Sequence, residues 1–266
     1  RSSDLAHHRW TDAQLVELQA LLSDEDLLQS HMLAMRGERV FGLGCLDSLR
    51  RHRLKLRDFF GILDDSGMKK GAAYAAATVG IIAPSSFFDF SALSVIRMEQ
   101  DYFMPMMDAT KHIVSPSNVS NLAQQCHAEF DQFSFYRIFA KMLLPALERL
   151  PHKSALGQNA IDLARVACAL ERYRLAHGNY PDSPGSLIPQ FIAQLPHDLI
   201  NGQPLKYRRT ADGYVLYSVG WNETDDGGEI AWRRGPLLRG RDQCPPARRA
   251  RRAVGAAARC FYVAAL

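Results

Sequence analysis

The segment from Leu170 to Trp232 constrains the fold more than any other part of this sequence. It overlaps the end of an apolar stripe of helical spacing that runs from Ala155 to His177. Gly178 and Asn179 favour a left-handed cap at the end of a helix, and Pro181 prevents the helix from continuing. The sequence therefore predicts a long helix that ends abruptly near residue 178.

The residues after this helix predict a small antiparallel sheet. Ser183 and Pro184 suit the start of a second, short helix that ends near Leu195. Two alternating apolar and polar segments then follow, residues 204–209 and 213–220, joined by a turn. The predicted fold is α+β: a mostly helical N-terminal region, then a long helix packed on a small antiparallel β-sheet.

The order of these signals resembles the soluble C-terminal module of type II secretion major pseudopilins. In that family a small sheet is laid against a long helix, and a loop after the second strand binds calcium. The resemblance covers about a quarter of the chain. The matching positions are Tyr173, Gly178, Tyr180 and Pro181 at the helix exit, Asn201 to Tyr207 at the first strand, Leu216 to Gly220 in the second strand and Asp225 to Trp232 in the acidic loop.

The loop after Gly220 concentrates oxygen-bearing side chains. Five of them lie within eight residues: Asn222, Glu223, Asp225, Asp226 and Glu229. Gly227 and Gly228 permit tight wrapping, and hard cations such as calcium bind six to eight oxygens. The resemblance implies calcium as a cofactor, with Asp225, Asp226 and Glu229 as metal ligands. The alternative is an acidic surface turn that binds no ion.

The domain organisation departs from that of a pseudopilin. A pseudopilin carries its hydrophobic N-terminal helix directly before the globular part, whereas here residues 1–153 form a helical region of unknown function. Residues 154–234 form the pseudopilin-like module. We therefore expect that this chain is not a filament subunit. The chain is similar instead to uncharacterised bacterial envelope proteins with such a module after a long helical region.

The third segment, residues 235–266, is a basic tail rich in Arg and Ala. From Arg239 to Leu266 it holds seven Arg and one Asp, a net +6 within a whole-chain charge of +4, so the rest carries −2. Binding to nucleic acid would rest on this tail alone, and we expect none. The tail is compatible with a solvated extension, a nucleic-acid or membrane-surface arm, or a shifted reading frame. We favour the shifted frame.

The sequence favours a non-catalytic role in envelope assembly or interaction. It has no nucleophile elbow, phosphate-binding loop or zinc-helix motif. His127 with Glu129 and Asp131 is the best acid–base cluster, although its spacing suits a shared helical face poorly. A hydrolase with its site in the helical region remains the alternative.

We expect envelope proteins as partners, the periplasmic side of the inner membrane as location, and a membrane anchor before Arg1.

Overall fold

The computed structural model describes residues 10–51, 84–132, 134–211, 213–228 and 262–265. They divide into two compact units. The sheet-containing unit holds the described residues of 1–27, 110–116 and 154–266, and the helical unit holds those of 28–109 and 117–153. The described part is mostly helical with a small antiparallel sheet, which confirms the coarse α+β class.

The elements follow one another along the chain, and short turns of other helix types separate some of the α-helices. In order they are α1 (Asp12–Ser23), α2 (Leu27–Arg50), α3 (Ser85–Arg97), a π-helix (Met98–Phe103), a 3₁₀ turn (Met104–Met106), α4 (Pro116–Phe130), a 3₁₀ turn (Phe135–Arg137), α5 (Ile138–Leu147), α6 (Leu150–His177), a 3₁₀ turn (Pro184–Leu187), β1 (Lys206–Arg209), β2 (Tyr214–Tyr217) and β3 (Tyr262–Ala265).

The predicted long helix is confirmed as α6, which begins at Leu150 rather than Ala155. It ends where the sequence indicates, because Gly178 has a φ of 79° and its amide donates to the carbonyl of Arg174 at 2.7 Å. Such a positive φ is strained for residues other than glycine. Local sequence therefore determines where α6 stops.

The predicted second helix is wrong in its extent. Ser183 does act as the N-cap, and its Oγ accepts a hydrogen bond from the amide of Gly185 at 3.3 Å. The helix then stops after a single 3₁₀ turn at Leu187. Pro189 has no amide hydrogen with which to continue a helical ladder, which explains why the segment does not remain helical to Leu195.

The sheet is an antiparallel arrangement in the order β1-β2-β3. Lys206 pairs with Tyr217, and Arg209 pairs with Tyr214, so β1 and β2 form a hairpin. Both strands are shorter than predicted. Of the basic tail, only residues 262–265 are described, and they pair with β2 as β3. The other predictions for residues 235–266 concern positions outside the described residues.

The core of the sheet-containing unit joins the sheet to the long helix. Its buried members come from α6, from the segment that follows α6, and from β2: Leu163, Val166, Ala169, Leu170, Tyr180, Leu187, Phe191, Ile192, Tyr214 and Leu216. Each fully buried large apolar side chain contributes about 1.5–3 kcal/mol to folding. This burial holds the hairpin against α6.

Helix α1 belongs to the same compact unit, which the sequence does not predict. Its start is a capping box, in which the side chains of Thr11 and Gln14 each accept from the backbone amide of the other. Gln19 Nε2 donates to the carbonyl of Phe191 at 3.0 Å, and Arg172 Nη1 donates to Gln19 Oε1 at 3.1 Å. These bonds tie α1 to α6 and to the segment after it.

The helical unit contains a buried ion pair at its π-helix. Glu99, in the π-helix, is 1% exposed, and its Oε2 accepts from Arg39 Nε at 2.7 Å. Burial raises the pKa of Glu99, and Arg39 opposes that shift.

Pro145 lies inside α5 and does not end it. The sequence does not predict helix α4, whose residues are mostly polar.

Candidate metal-binding loop

A buried carboxylate fixes the backbone at the base of the acidic loop. Asp198 is 1% exposed and receives three hydrogen bonds from protein donors. Its Oδ1 accepts from the amide of Ile200 at 2.9 Å and from Ser218 Oγ at 2.8 Å, and its Oδ2 accepts from the amide of Val219 at 2.8 Å. A buried carboxylate is tolerated when its oxygens are bonded in this way. Asp198 therefore holds the end of β2 against the preceding turn.

The same network reaches α6. The buried Asn159 donates from Nδ2 to Ser218 Oγ at 2.8 Å, and Ser218 Oγ in turn donates a hydrogen bond to Asp198 Oδ1. Asn159 Oδ1 is shielded from solvent and has no hydrogen-bond partner among the described residues. The acidic loop thus leaves the sheet from a base that is tied to the long helix.

The loop turns back on itself through left-handed residues. Glu223 has a φ of 56°, and its amide donates to the carbonyl of Gly220 at 3.2 Å. Its side chain accepts from Ser115 Oγ at 3.1 Å. At Gly228, with a φ of 77°, an added Cβ would lie 3.0 Å from the ring of Tyr217. Glycine is therefore required where the loop passes over β2.

Asp225 is held by groups from both strands of the hairpin. Its Oδ1 accepts from Tyr217 Oη at 2.8 Å and from the amide of Gly227 at 3.0 Å. Its Oδ2 lies 3.5 Å from Lys206 Nζ. The Tyr217 hydrogen bond is the largest of the effects that lower the pKa of Asp225. Burial, together with Asp225, raises the pKa of Tyr217 to about 12.

Asp226 carries the oxygen that a cation would satisfy. Its Oδ2 accepts from Asn222 Nδ2 at 3.4 Å. Its Oδ1 is shielded from solvent and has no hydrogen-bond partner within the described part of the chain. A carboxylate oxygen in that position costs free energy unless a donor or a cation reaches it. This orphaned oxygen fits the chemistry of a hard divalent ion.

The predicted ligand set is only partly described. Asp225 and Asp226 lie in the loop as neighbours with different partners, and Glu229 lies outside the described residues. Within the described ranges, no group of three or more His, Cys, Asp or Glu is arranged to hold a metal ion. Backbone carbonyls, amide oxygens such as that of Asn222, and water would have to supply the remaining ligands of a calcium ion.

The predicted acid–base cluster of the helical unit comes together only in part. His127 Nε2 contacts Glu148 Oε1, and His127 Nδ1 lies 3.8 Å from Asp131 Oδ2. Glu129 turns away and accepts from Tyr102 Oη at 2.5 Å. The sequence pattern does not identify Glu148 as a neighbour of His127, because the contact between the two residues depends on tertiary packing. The carboxylates of Asp131 and Glu148 and the exposed imidazole of His127 therefore form a cluster of ionisable side chains.

Comparison of the chain with protein-family models, with curated proteins and with solved structures gives no significant match. Within the residues that the structure describes, no helix is both long enough and apolar enough to cross a membrane.

Proposed function

We propose that this chain is a non-catalytic, envelope-associated assembly or interaction protein whose residues 154–234 form a pseudopilin-like module of the type II secretion kind. One observation carries the proposal. The hairpin packs on α6, and β2 leads directly into an acidic loop in which an oxygen of Asp226 is shielded without a partner. That combination supports the proposal, because it follows the order of elements that the resemblance implies.

In this proposal calcium is a structural ion. Asp225 and Asp226 supply carboxylate oxygens, and Glu229 is the expected third acidic ligand. The ion provides the positive charge that neutralises the loop and keeps it closed over β2. The residues around it orient these oxygens: Gly227 donates its amide to Asp225, and Asp198 fixes the base of the loop.

The proposed location is the periplasmic side of the inner membrane, with other envelope proteins as partners. Calcium sites of extracellular modules have dissociation constants of about 10⁻⁴–10⁻³ M. A site with few protein carboxylates belongs to this weak class, and such a site fills in a compartment rich in calcium. Cell fractionation of the tagged full-length protein tests the location, and recovery in the cytosolic fraction alone would contradict it.

Thermal unfolding tests the metal. We expect a chelator to lower the melting temperature and excess calcium to restore it, because an ion that binds only the folded state stabilises it by mass action. At a calcium concentration 100 times the dissociation constant, the gain is about 2.7 kcal/mol.

Variant D226N is the matched test, since it keeps the shape of the side chain and removes the charge. It should lose most of the calcium response, while D182N, which changes a 91% exposed aspartate elsewhere in the unit, should keep it. Magnesium should substitute poorly, because it demands near-ideal octahedral geometry. A melting temperature that ignores both chelator and calcium would count against the loop as a metal site.

The second candidate, a hydrolase, is favoured by one contact: His127 of α4 with Glu148, the residue that follows α5, which brings an imidazole and a carboxylate together. The neighbouring thiol is a poor nucleophile, since burial raises the pKa of Cys126 to about 12. Turnover of p-nitrophenyl esters that is abolished in H127N would support this function. Equal background rates for wild type and H127N would reject it.

A further inference from the structure

One face of helix α2, in the helical unit, exposes large apolar side chains to solvent. Leu33 is 70% exposed and Val40 is 73% exposed, and the two residues lie one heptad apart on the same side of the helix. Phe41, next to Val40 in the sequence, is 56% exposed. Single exposed apolar residues are ordinary on a protein surface, whereas neighbouring ones on one helix face mark a surface that contacts another molecule.

Two glycines alternate with these apolar residues along the same face. The order is Leu33, Gly37, Val40, Gly44, and we call these four residues the α2 stripe. A Cβ added at Gly37 or at Gly44 would meet no atom within 4 Å. Glycine weakens the interior of a helix, and nothing in the described part of the chain requires it at either position. The two glycines therefore lack an explanation within a single copy of the chain.

We infer that the α2 stripe is a self-association surface, on which α2 packs antiparallel against α2 of a second copy of this chain. In heptad terms Leu33 and Val40 occupy d positions, and Gly37 and Gly44 occupy a positions. Antiparallel helices place the d residues of one beside the a residues of the other. Val40 then faces Gly37 of the second copy, and Leu33 faces Gly44 of the second copy. This inference does not depend on the proposed calcium site.

The shape of the α2 stripe identifies a second copy as the occupant. Each large side chain enters the space that a glycine of the other copy leaves open, and the two-fold axis repeats every contact, as in a self-complementary interface. Glycines at these positions also allow the two helix axes to approach closely. A parallel pair in register would instead place Gly37 against Gly37 and leave a gap. The alternation of large and small residues therefore favours the antiparallel pair.

The size of this surface predicts a weak dimer. A helix of 24 residues is about 36 Å long and about 10 Å wide, so α2 offers a strip of about 360 Å². A stable interface buries about 800 Å² on each partner. Because the strip reaches only about half of that area, we expect a dissociation constant weaker than about 1 μM.

Sedimentation equilibrium of the full chain, at concentrations from about 1 to 500 μM, tests the inference. Wild type should change from monomer to dimer within this range. V40Q should weaken the dimer about tenfold or more, because each dimer then loses two buried valine side chains. The residue is so exposed in one copy that the variant should fold normally, which circular dichroism verifies.

The glycines supply a second variant with a matched control. G37Q should also weaken the dimer about tenfold or more, because the longer side chain occupies the space that Val40 of the second copy needs. At low concentration its melting temperature should equal or exceed that of wild type, since glutamine forms helices better than glycine. Gly42 is the control: it points to the opposite side of α2, and an added Cβ there also meets no atom within 4 Å. G42Q should therefore dimerise like wild type.

Three results would overturn the inference. Wild type that remains monomeric at the highest concentration would refute self-association. A dimer that V40Q and G37Q leave unchanged would place the interface elsewhere on the molecule. If wild type does not dimerise and V40Q lowers the melting temperature of the dilute protein, another segment of the same chain covers the α2 stripe instead of a second copy.

Discussion

Replacement of Asp198 by Asn probes the network that holds the loop base to the rest of the unit. The carboxylate accepts from two backbone amides and from one hydroxyl, all at 2.8–2.9 Å, and it is almost fully buried. An amide side chain of the same shape keeps only one acceptor oxygen. If that oxygen stays with Ile200 and Ser218, the new NH₂ group faces the amide of Val219, donor against donor.

The expected cost follows from the bonds that are lost. A hydrogen bond to a charged group contributes about 1.5–3 kcal/mol, and D198N loses one such bond while it leaves a buried amide unpaired. We therefore expect D198N to lower the free energy of unfolding by about 2–3 kcal/mol. D198A should cost more, since it leaves all three donors without their acceptor.

Urea unfolding, followed by circular dichroism, measures these differences. D182N is the matched control: Asp182 is 91% exposed and pairs with Arg209 on the surface, so its replacement should cost at most about 1 kcal/mol. The three variants should rank D198A, D198N, D182N in order of decreasing cost. A value for D198N no larger than that of D182N would refute the claim that this carboxylate anchors the loop base.

Two further predictions concern other parts of the chain. R39M should destabilise the helical unit by about 1.5–3 kcal/mol because it leaves the buried Glu99 carboxylate without this partner, and adding E99Q should recover most of the loss. Denaturant titration of both variants checks this, and a double variant less stable than R39M would contradict it. Burial raises the pKa of Tyr207 from its ordinary value of 10 to about 12. The folded state therefore favours the neutral phenol, and the stability that depends on this phenol is complete below pH 10 and is lost as the pH rises through 12. Y207F should flatten this alkaline loss in a pH series of melting temperatures, and an unchanged slope would contradict the assignment.

Local signals account for the parts of the fold that the sequence predicts. The apolar stripe of α6 has a helical period, and Gly178 ends the helix at a φ that glycine adopts without strain. The hairpin is likewise local, since β1 and β2 are adjacent in the chain. The predicted extension of the second helix to Leu195 is wrong because the N-cap at Ser183 fixes only where a helix begins, and Pro189 cannot donate to a helical ladder.

Long-range contacts account for what the sequence could not predict. Arg172 donates a hydrogen bond to Gln19, which lies 153 residues away in the sequence. No local pattern marks either residue as part of an interface. Asp198 lies in a turn-like sequence, where a polar aspartate is ordinary, and only the fold shows that it is buried. In the acidic loop, the pseudopilin resemblance implies Asp225 and Asp226 as ligands, whereas the approach of Lys206 to Asp225 depends on the register of the hairpin.

An NMR titration of ¹⁵N-labelled protein with calcium chloride tests the central claim most directly. If the loop binds calcium at Asp225 and Asp226, the largest amide shifts should be confined to residues 217–228 and to the facing part of β1, and they should saturate at a single affinity. The helical unit serves as the internal reference, with unchanged amide signals. Unchanged loop signals up to 10 mM calcium, about ten times the weakest dissociation constant of this class of site, would contradict the claim.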